Sequence, residues 1–297
     1  MQITNELRLP ESIVEAVKND EYTRGDSDIS VTQLIDPPQK IALIEANDDK
    51  IVEDASDRLW SLYGQLIHGL LERADTGAVT EQRLYMEILG WKIGGQMDRL
   101  VIGEGKDPDA LILEDYKFTT VYSVKGGQPK KEWIEQQNCY AQILRSNGFK
   151  VDAINVVVIF RDWSKMKVLR EQDYPRKQAV SIPIPLWTEE RTLTFMRERV
   201  MLHQSVRAGN KIECTPDEQW AKPTKHAVMK KGRKSAMRVL ESEYDAIQWC
   251  VLKGHADSTG LLYAGFYIDI RPGEFTRCLH YCAASPFCKQ FKDSEIS

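Results

Sequence analysis

Apolar and polar positions along the chain fall into blocks of different period, and the blocks predict an order of elements. Residues 1–28 are polar and predict a loose segment with one short helix near Glu11–Asn19. Asp28–Ile35 alternates apolar and polar ahead of Pro37 and Pro38, which predicts a short element and a turn. From about Ile51 to Arg73, Leu59, Leu62, Leu66, Leu70 and Trp60, Tyr63, Ile67, Leu71 recur at helical spacing. They predict one long helix with a wide buried stripe, stopped near Asp75-Thr76-Gly77. A strand over 79–89 follows, then two more, Trp91–Ile102 and Ala110–Thr119, joined by a polar loop. Lys131–Asn147 reads as a helix closed by Gly148, and Val151–Phe160 as a strand buried on both faces. After the extended IPIPLW stretch, Thr188–Gly209 predicts a charged helix with Leu193, Phe195, Met196, Val200 and Leu202 inward. The last third predicts a helix over Glu241–Leu252 and a strand or strand pair over Thr259–Ile270.

Composition narrows the class. The chain has 297 residues, 42% of them hydrophobic, enough for a sizeable core. Its most apolar stretch, Ile154–Phe160, has the length of a buried strand, far short of the roughly 18–20 residues of a membrane span. The opening residues MQITNELRLPES lack the apolar run of a signal peptide, so the expectation is a cytoplasmic protein with no membrane partner. The net charge of −4 makes a polyanion-binding role depend on local basic patches. Six cysteines in such a protein point to metal binding or free thiols rather than disulfides.

The chemistry concentrates between Gly95 and Lys117. Leu111, Ile112 and Leu113 suit a buried strand, yet Glu114, Asp115, Tyr116 and Lys117 follow directly. Charges are rarely buried without a partner or a metal. Alternation puts Asp115 and Lys117 on one face and Glu114 on the other. With Asp98 on the preceding strand, two carboxylates and a lysine converge as in a divalent-metal hydrolytic site. Glu81 and Glu87 read as solvated strand residues, Glu81 being the better further acid. Taken alone, His68 reads as a core histidine bonded to a carbonyl.

The pattern Asp98, hairpin, Asp115-Tyr116-Lys117 resembles the PD-(D/E)XK nuclease superfamily. Gly64 and His68 match the G-x-x-x-H helix that RecB-like exonucleases carry ahead of that hairpin, and Gln136-x-x-x-Tyr140 matches their later helix. The four elements come in the family's order over about 75 residues. The resemblance implies an α/β fold with a restriction-endonuclease-like core, a mixed central sheet flanked by helices. It implies that Asp98, Asp115 and Lys117 are catalytic. One or two Mg²⁺ or Mn²⁺ ions would be held by His68, Asp98, Asp115 and the Tyr116 carbonyl. Gln136 and Tyr140 would contact DNA, and Gly64 would permit a close approach. The implied domains are a polar segment 1–28, a nuclease core 29–187, and a C-terminal extension 188–297 packed on it and stapled by metal.

That extension holds two further candidates. Lys222, Lys225, Lys230, Lys231, Arg233, Lys234 and Arg238 form a run of seven basic residues with no acid among them. It reads either as a solvated surface or as a phosphate-tracking patch, with Lys230, Lys231, Arg233 and Lys234 at its centre. Cys278, Cys282 and Cys288 are spaced C-x3-C-x5-C, a metal signal. Cys214 is the chosen fourth ligand and His280 the alternative, while Cys139 and Cys250 read as buried free thiols. RecB-like relatives close a [4Fe–4S] cluster with a similar triplet, and Zn²⁺ is the other metal such ligands suit. The implied function is a metal-dependent DNA exonuclease acting on single strands or ends in recombination or repair, in a bacterium or phage-infected host, with a possible recombination-protein partner. An endonuclease or nickase, or a non-catalytic nucleic-acid-binding scaffold, stays open.

Overall fold

The computed structural model describes residues 1–19, 25–74, 79–102, 109–124 and 126–295. The chain divides into two compact units, Met1–Ile212 and Glu213–Ser297. The predicted loop at 103–108 and the helix stop at 75–77 lie outside the described residues.

In the first unit, β1 (Gln2–Thr4) precedes helix α1 (Glu11–Lys18). A two-residue strand β2 (Ile29–Ser30) runs straight into α2 (Val31–Ile35). The junction is local chemistry. The Ser30 hydroxyl accepts the Gln33 N–H and the Gln33 side chain accepts the Ser30 N–H, a reciprocal cap. Helix α3 (Pro38–Asn47) and strand β3 (Val52–Asp54) follow.

Here the structure departs from the predicted helix over 51–73. Its first turns are instead β3, paired in parallel with β1, and a 3-10 turn over Ala55–Arg58. Asp54 decides this. One carboxylate oxygen accepts the Ser56 N–H, and the other accepts the Thr4 hydroxyl and the Glu6 N–H. Helix α4 therefore spans Leu59–Ala74. None of its residues is buried, against the expected stripe. Trp60, Tyr63, Leu66 and Leu70 are exposed, while Leu59, Leu62, Ile67 and Leu71 are half-buried.

The central sheet is built on β5. Strand β4 (Val79–Ile88) runs antiparallel to β5 (Trp91–Ile102) from Val79↔Leu100 to Ile88↔Trp91. Because β4 occupies one edge of β5 throughout, β2 and β6 (Leu111–Thr119) share the other. Strand β2 pairs at Ile93 and Gly94, and β6 pairs from Arg99↔Glu114 to Ile102↔Leu111. After α5 (Lys131–Ser146), β7 (Val151–Phe160) lies parallel to β6. Beyond α6 (Lys165–Arg170), β8 (Ala179–Pro183) closes the sheet antiparallel to β7. The result is a mixed sheet flanked by helices, with Leu113, Ile143, Leu144, Ile154 and Val156 in its core.

Helix α7 (Glu189–Arg207) belongs to this unit, so the division does not fall at residue 187 as expected. Met196 and Val200 enter the main core. Arg199 donates to the carbonyls of Leu34 and Asp36, capping the end of α2. Residues 1–19 and 25–28 likewise belong to it rather than standing apart, since β1 is a strand partner of β3.

In the second unit, β9 (Ala221–Lys222) precedes β10 (Lys225–Lys230) and β11 (Arg238–Leu240), which form a hairpin. Helix α8 (Glu243–Leu252) packs on the hairpin through Ala246, Cys250 and Val228. Strand β12 (Phe266–Arg271) completes a three-stranded sheet. Strand β13 (Glu274–Phe275) then pairs with β9 and leads into α9 (Thr276–His280) and α10 (Lys289–Glu295).

Candidate active site

The ladder between β5 and β6 stops at Arg99↔Glu114, and the strands diverge there. The Tyr116 N–H, just past that pair, is taken by the Asp98 carboxylate at 2.8 Å. A side chain thus replaces a backbone acceptor. The substitution fixes Asp98 at the opening and satisfies a half-buried N–H that would otherwise lack a partner. The same Asp98 oxygen lies 3.4 Å from Nδ1 of His68, which reaches in from α4. Tyr116 also sets its ring edge-on to the imidazole, centroids 6.2 Å apart.

Asp115 faces the same opening from β6 and is only 3% exposed. Three contacts hold it. Lys117, two residues on along the same strand face, lies 2.9 Å from Oδ1 and 2.7 Å from Oδ2. Gln137 on α5 donates to Oδ1 at 2.8 Å. Oδ2 has no aligned hydrogen bond; its proximity to the ammonium is a charge contact only. The buried carboxylate thus has the ammonium as its counter-ion, and a metal ion would share Asp115 with Lys117. Glu114 turns to the other face and pairs with Arg99, as alternation requires.

Helix α5 supplies the third wall. Tyr140 and Ile143 pack so closely on β5 that a Cβ at Gly95 would lie 2.9 Å from each. Gly95 is therefore the glycine that the approach depends on. Gly64, expected to serve that role, has nothing within 4 Å of a Cβ. Gln136 donates to the Tyr140 hydroxyl at 3.1 Å, so the two act as one polar unit.

Asp98, Asp115, Lys117, His68, Gln136 and Tyr140 all line one cleft of about 860 Å³. The structure brings these six candidate side chains to one place; Glu87 is not among the residues that line it. It adds lining residues that carry no chemical signal in the sequence: Trp60, Glu72, Arg83 and Gln96. Arg83 donates to Gln96 across the β4–β5 pair, placing a guanidinium in the cleft. Gln137, the residue that grips Asp115, has no sequence signal beyond its position beside Gln136.

Among the described residues, no group of three or more His, Cys, Asp or Glu side chains is arranged to hold a metal ion as it stands. The donor chemistry nevertheless suits a hard divalent ion. Mg²⁺ commonly takes one or two carboxylates and completes its shell with water and substrate phosphate. Asp98 and Asp115 supply that number, with His68 at the side.

In the second unit, Cys214 and the C-terminal triplet come together. The Cys214 N–H donates to Oε1 of Gln290 at 2.9 Å, and the Gln290 amide donates back to the Cys214 carbonyl at 2.8 Å. Gln219 reaches Sγ of Cys278 at 3.9 Å. Burial, then Glu218, then Cys288, Cys278 and Cys282 push the Cys214 thiol up to about 12, so all four thiols are electrostatic neighbours. His280, the alternative fourth ligand, is exposed. Cys139 and Cys250 are fully buried and stand apart in two hydrophobic cores. The donor set of four thiols suits a soft metal.

Most of the basic run lies on the β10–β11 hairpin. Lys222 pairs with Glu274 and Lys225 with Glu241. Lys230, Lys231, Arg233 and Lys234 are exposed around the turn at Gly232 and form no ion pair among the described residues. No helix among the described residues is long and apolar enough to cross a membrane.

No family model matches this chain, and no curated protein is similar to it in sequence. Among solved structures, the crystal structure of SSO0001 aligns with a TM-score of 0.44 and 17% identity. The alignment covers 64% of this chain and 84% of that one.

Proposed function

We propose that the first unit is a restriction-endonuclease-like nuclease core that hydrolyses DNA with a divalent metal ion, Mg²⁺ or Mn²⁺. The observation that carries this reading is the pair of carboxylates at the point where β5 and β6 diverge: Asp98 beside His68, and Asp115 beside Lys117, in one cleft. Asp98, Asp115 and His68, with the Tyr116 carbonyl, would hold the ion. Bound there, it would supply Lewis-acid charge for a phosphodiester and an activated water. Lys117 places a positive charge where negative charge develops on the phosphoryl oxygens. Gln137 keeps Asp115 oriented, and the Tyr116 N–H does the same for Asp98. Arg83, Gln136 and Tyr140 line the path of the strand. None of these groups is set to read base edges, so little sequence preference is expected.

In the second unit, Cys214, Cys278, Cys282 and Cys288 would hold a [4Fe–4S] cluster or Zn²⁺, stapling the ends of that unit. The exposed basic hairpin would track phosphate. The specific form proposed is an exonuclease on single strands or ends, serving recombination or repair in the cytoplasm, with a recombination protein as its partner. The ion pair that occupies both oxygens of Asp115 favours one other reading, a scaffold that binds DNA without cutting it.

Digestion of end-labelled linear DNA and of circular DNA, each single- and double-stranded, with Mg²⁺, Mn²⁺ or EDTA, tests this directly. Metal-dependent loss of linear substrate with circles spared is the expected result. Cleavage of circles would assign an endonuclease or nickase. Binding without cleavage in either metal would establish the scaffold instead.

A further inference from the structure

Helix α4 carries an aromatic residue whose placement the hydrolytic machinery does not use. Trp60, Gly64, His68 and Glu72 recur every four residues, and all four line the cleft. The indole therefore lies on the same helix face as the imidazole, about 12 Å away along the axis. Between them Gly64 presents bare backbone, with nothing within 4 Å of a Cβ. The indole and the candidate metal site thus share one cleft, with Gly64 between them.

The indole is in contact with two side chains without being buried. It is 55% exposed, and the Arg161 guanidinium sits over its ring, 3.8 Å from the centroid. Tyr63 stands beside it at 5.7 Å. More than half of the residue stays exposed with the guanidinium over its ring. Arg161 is itself fixed at the end of β7, where its N–H donates to the Thr119 carbonyl. An indole braced by a cation, more than half exposed and lining a cleft, is a surface for stacking a planar group. The guanidinium adds a positive charge beside it.

We propose that Trp60, backed by Arg161, is a base-stacking platform that selects single-stranded nucleic acid for this cleft. The proposal rests on the nuclease reading only for the class of its occupant. Unpaired bases offer a free face to an aromatic ring, and such stacking tolerates any sequence. The bases of a duplex are already stacked on each other and reach the indole only after unstacking. Trp60 is a positioning residue: it sets which strands enter, while the carboxylates and Lys117 act on the phosphodiester.

The test is equilibrium binding of the full chain in EDTA, where no metal-dependent cleavage intervenes. The two probes are oligothymidylate, chosen for weak self-stacking, and an abasic oligomer of equal length and charge. The wild type is expected to bind oligothymidylate about tenfold tighter. Trp60→Ala should abolish that preference, and Trp60→Phe should keep most of it. The salt dependence should stay unchanged in both variants, because every phosphate-facing cation is retained. No α4 residue is buried, so both variants keep the core intact. Equal preference in Trp60→Ala and wild type overturns the platform, as does a wild type indifferent to bases or unable to bind either probe. The nuclease reading fails separately: absence of metal-dependent cleavage with the base preference intact would refute it and leave the platform standing.

Discussion

The Lys117 ammonium lies 2.9 Å from one oxygen of Asp115 and 2.7 Å from the other. The lysine is thus the counter-ion of the carboxylate that would bind the metal, and the two functions can be separated by substitution. Lys117→Ala should reduce DNA hydrolysis by about 10²–10³-fold while metal binding persists, since it removes charge stabilisation and frees Asp115. Asp115→Asn should abolish both. Turnover on labelled single strands, read beside Mn²⁺ titration calorimetry, checks the split. Wild-type turnover in Asp115→Asn would remove the assignment.

His68 contacts Asp98 from α4, a helix with no buried residue. His68→Ala should therefore leave thermal stability nearly unchanged and weaken metal affinity. Excess Mn²⁺ should restore much of the activity. A large drop in melting temperature would return His68 to a structural role.

Lys230, Lys231, Arg233 and Lys234 surround an exposed turn and are predicted to touch phosphate. Changing all four to Gln should weaken binding of single-stranded DNA. It should also flatten the dependence of log K on log salt by about 0.7 for each phosphate that is no longer neutralised. An unchanged slope means the hairpin does not meet the backbone.

The proposed centre of Cys214, Cys278, Cys282 and Cys288 predicts a bound metal. Protein prepared anaerobically should be brown if it carries a [4Fe–4S] cluster, and colourless with stoichiometric zinc if it carries Zn²⁺. In either case Cys214→Ser and Cys282→Ser should release metal and lower stability, whereas Cys250→Ser should release none. Elemental analysis decides, and metal-free wild type refutes the centre.

His203 gives a pH prediction independent of function. It is 3% exposed and bonds the Leu34 carbonyl at 3.1 Å. Burial above all, with Arg199 and Arg207 nearby, holds it down at about 4 against the pull of the Leu34 carbonyl and Glu45. In the unfolded chain it titrates at about 6.5. The unfolded state therefore binds the extra proton between those values. The stability contribution is whole above about 6.5, falls as pH drops through the window, and is gone below about 4. The full difference is on the order of 3 kcal/mol, of which about 2 kcal/mol is lost by pH 5. Urea unfolding at pH 7.5 and pH 5 should show it, and His203→Gln, which can still donate to the carbonyl, should lose that part of the pH dependence.

Elements set by local period were legible in the sequence. Strand β5 over Trp91–Ile102, strand β7 over Val151–Phe160 and helix α5 from Lys131 follow from alternation, an apolar run and a glycine stop. Asp115 and Lys117 were legible too, because they follow directly on the apolar run Leu111–Leu113, whereas Trp60, Arg83 and Gln96 of the same cleft carried no signal. Tertiary structure decided what depends on partners far along the chain. Asp54 delays the start of the predicted long helix to Leu59 because its carboxylate is claimed by Thr4 and Glu6. Helix α7 joins the first unit because Arg199 and His203 bond carbonyls at the end of α2. The apolar stripe of α4 stays exposed because a periodic pattern records which residues share a face, and says nothing of whether another element covers it. Likewise Gln137, rather than its neighbour Gln136, grips Asp115. Two adjacent glutamines carry the same chemistry, and only the rotation of α5 against the sheet, set by the close approach at Gly95, chooses between them.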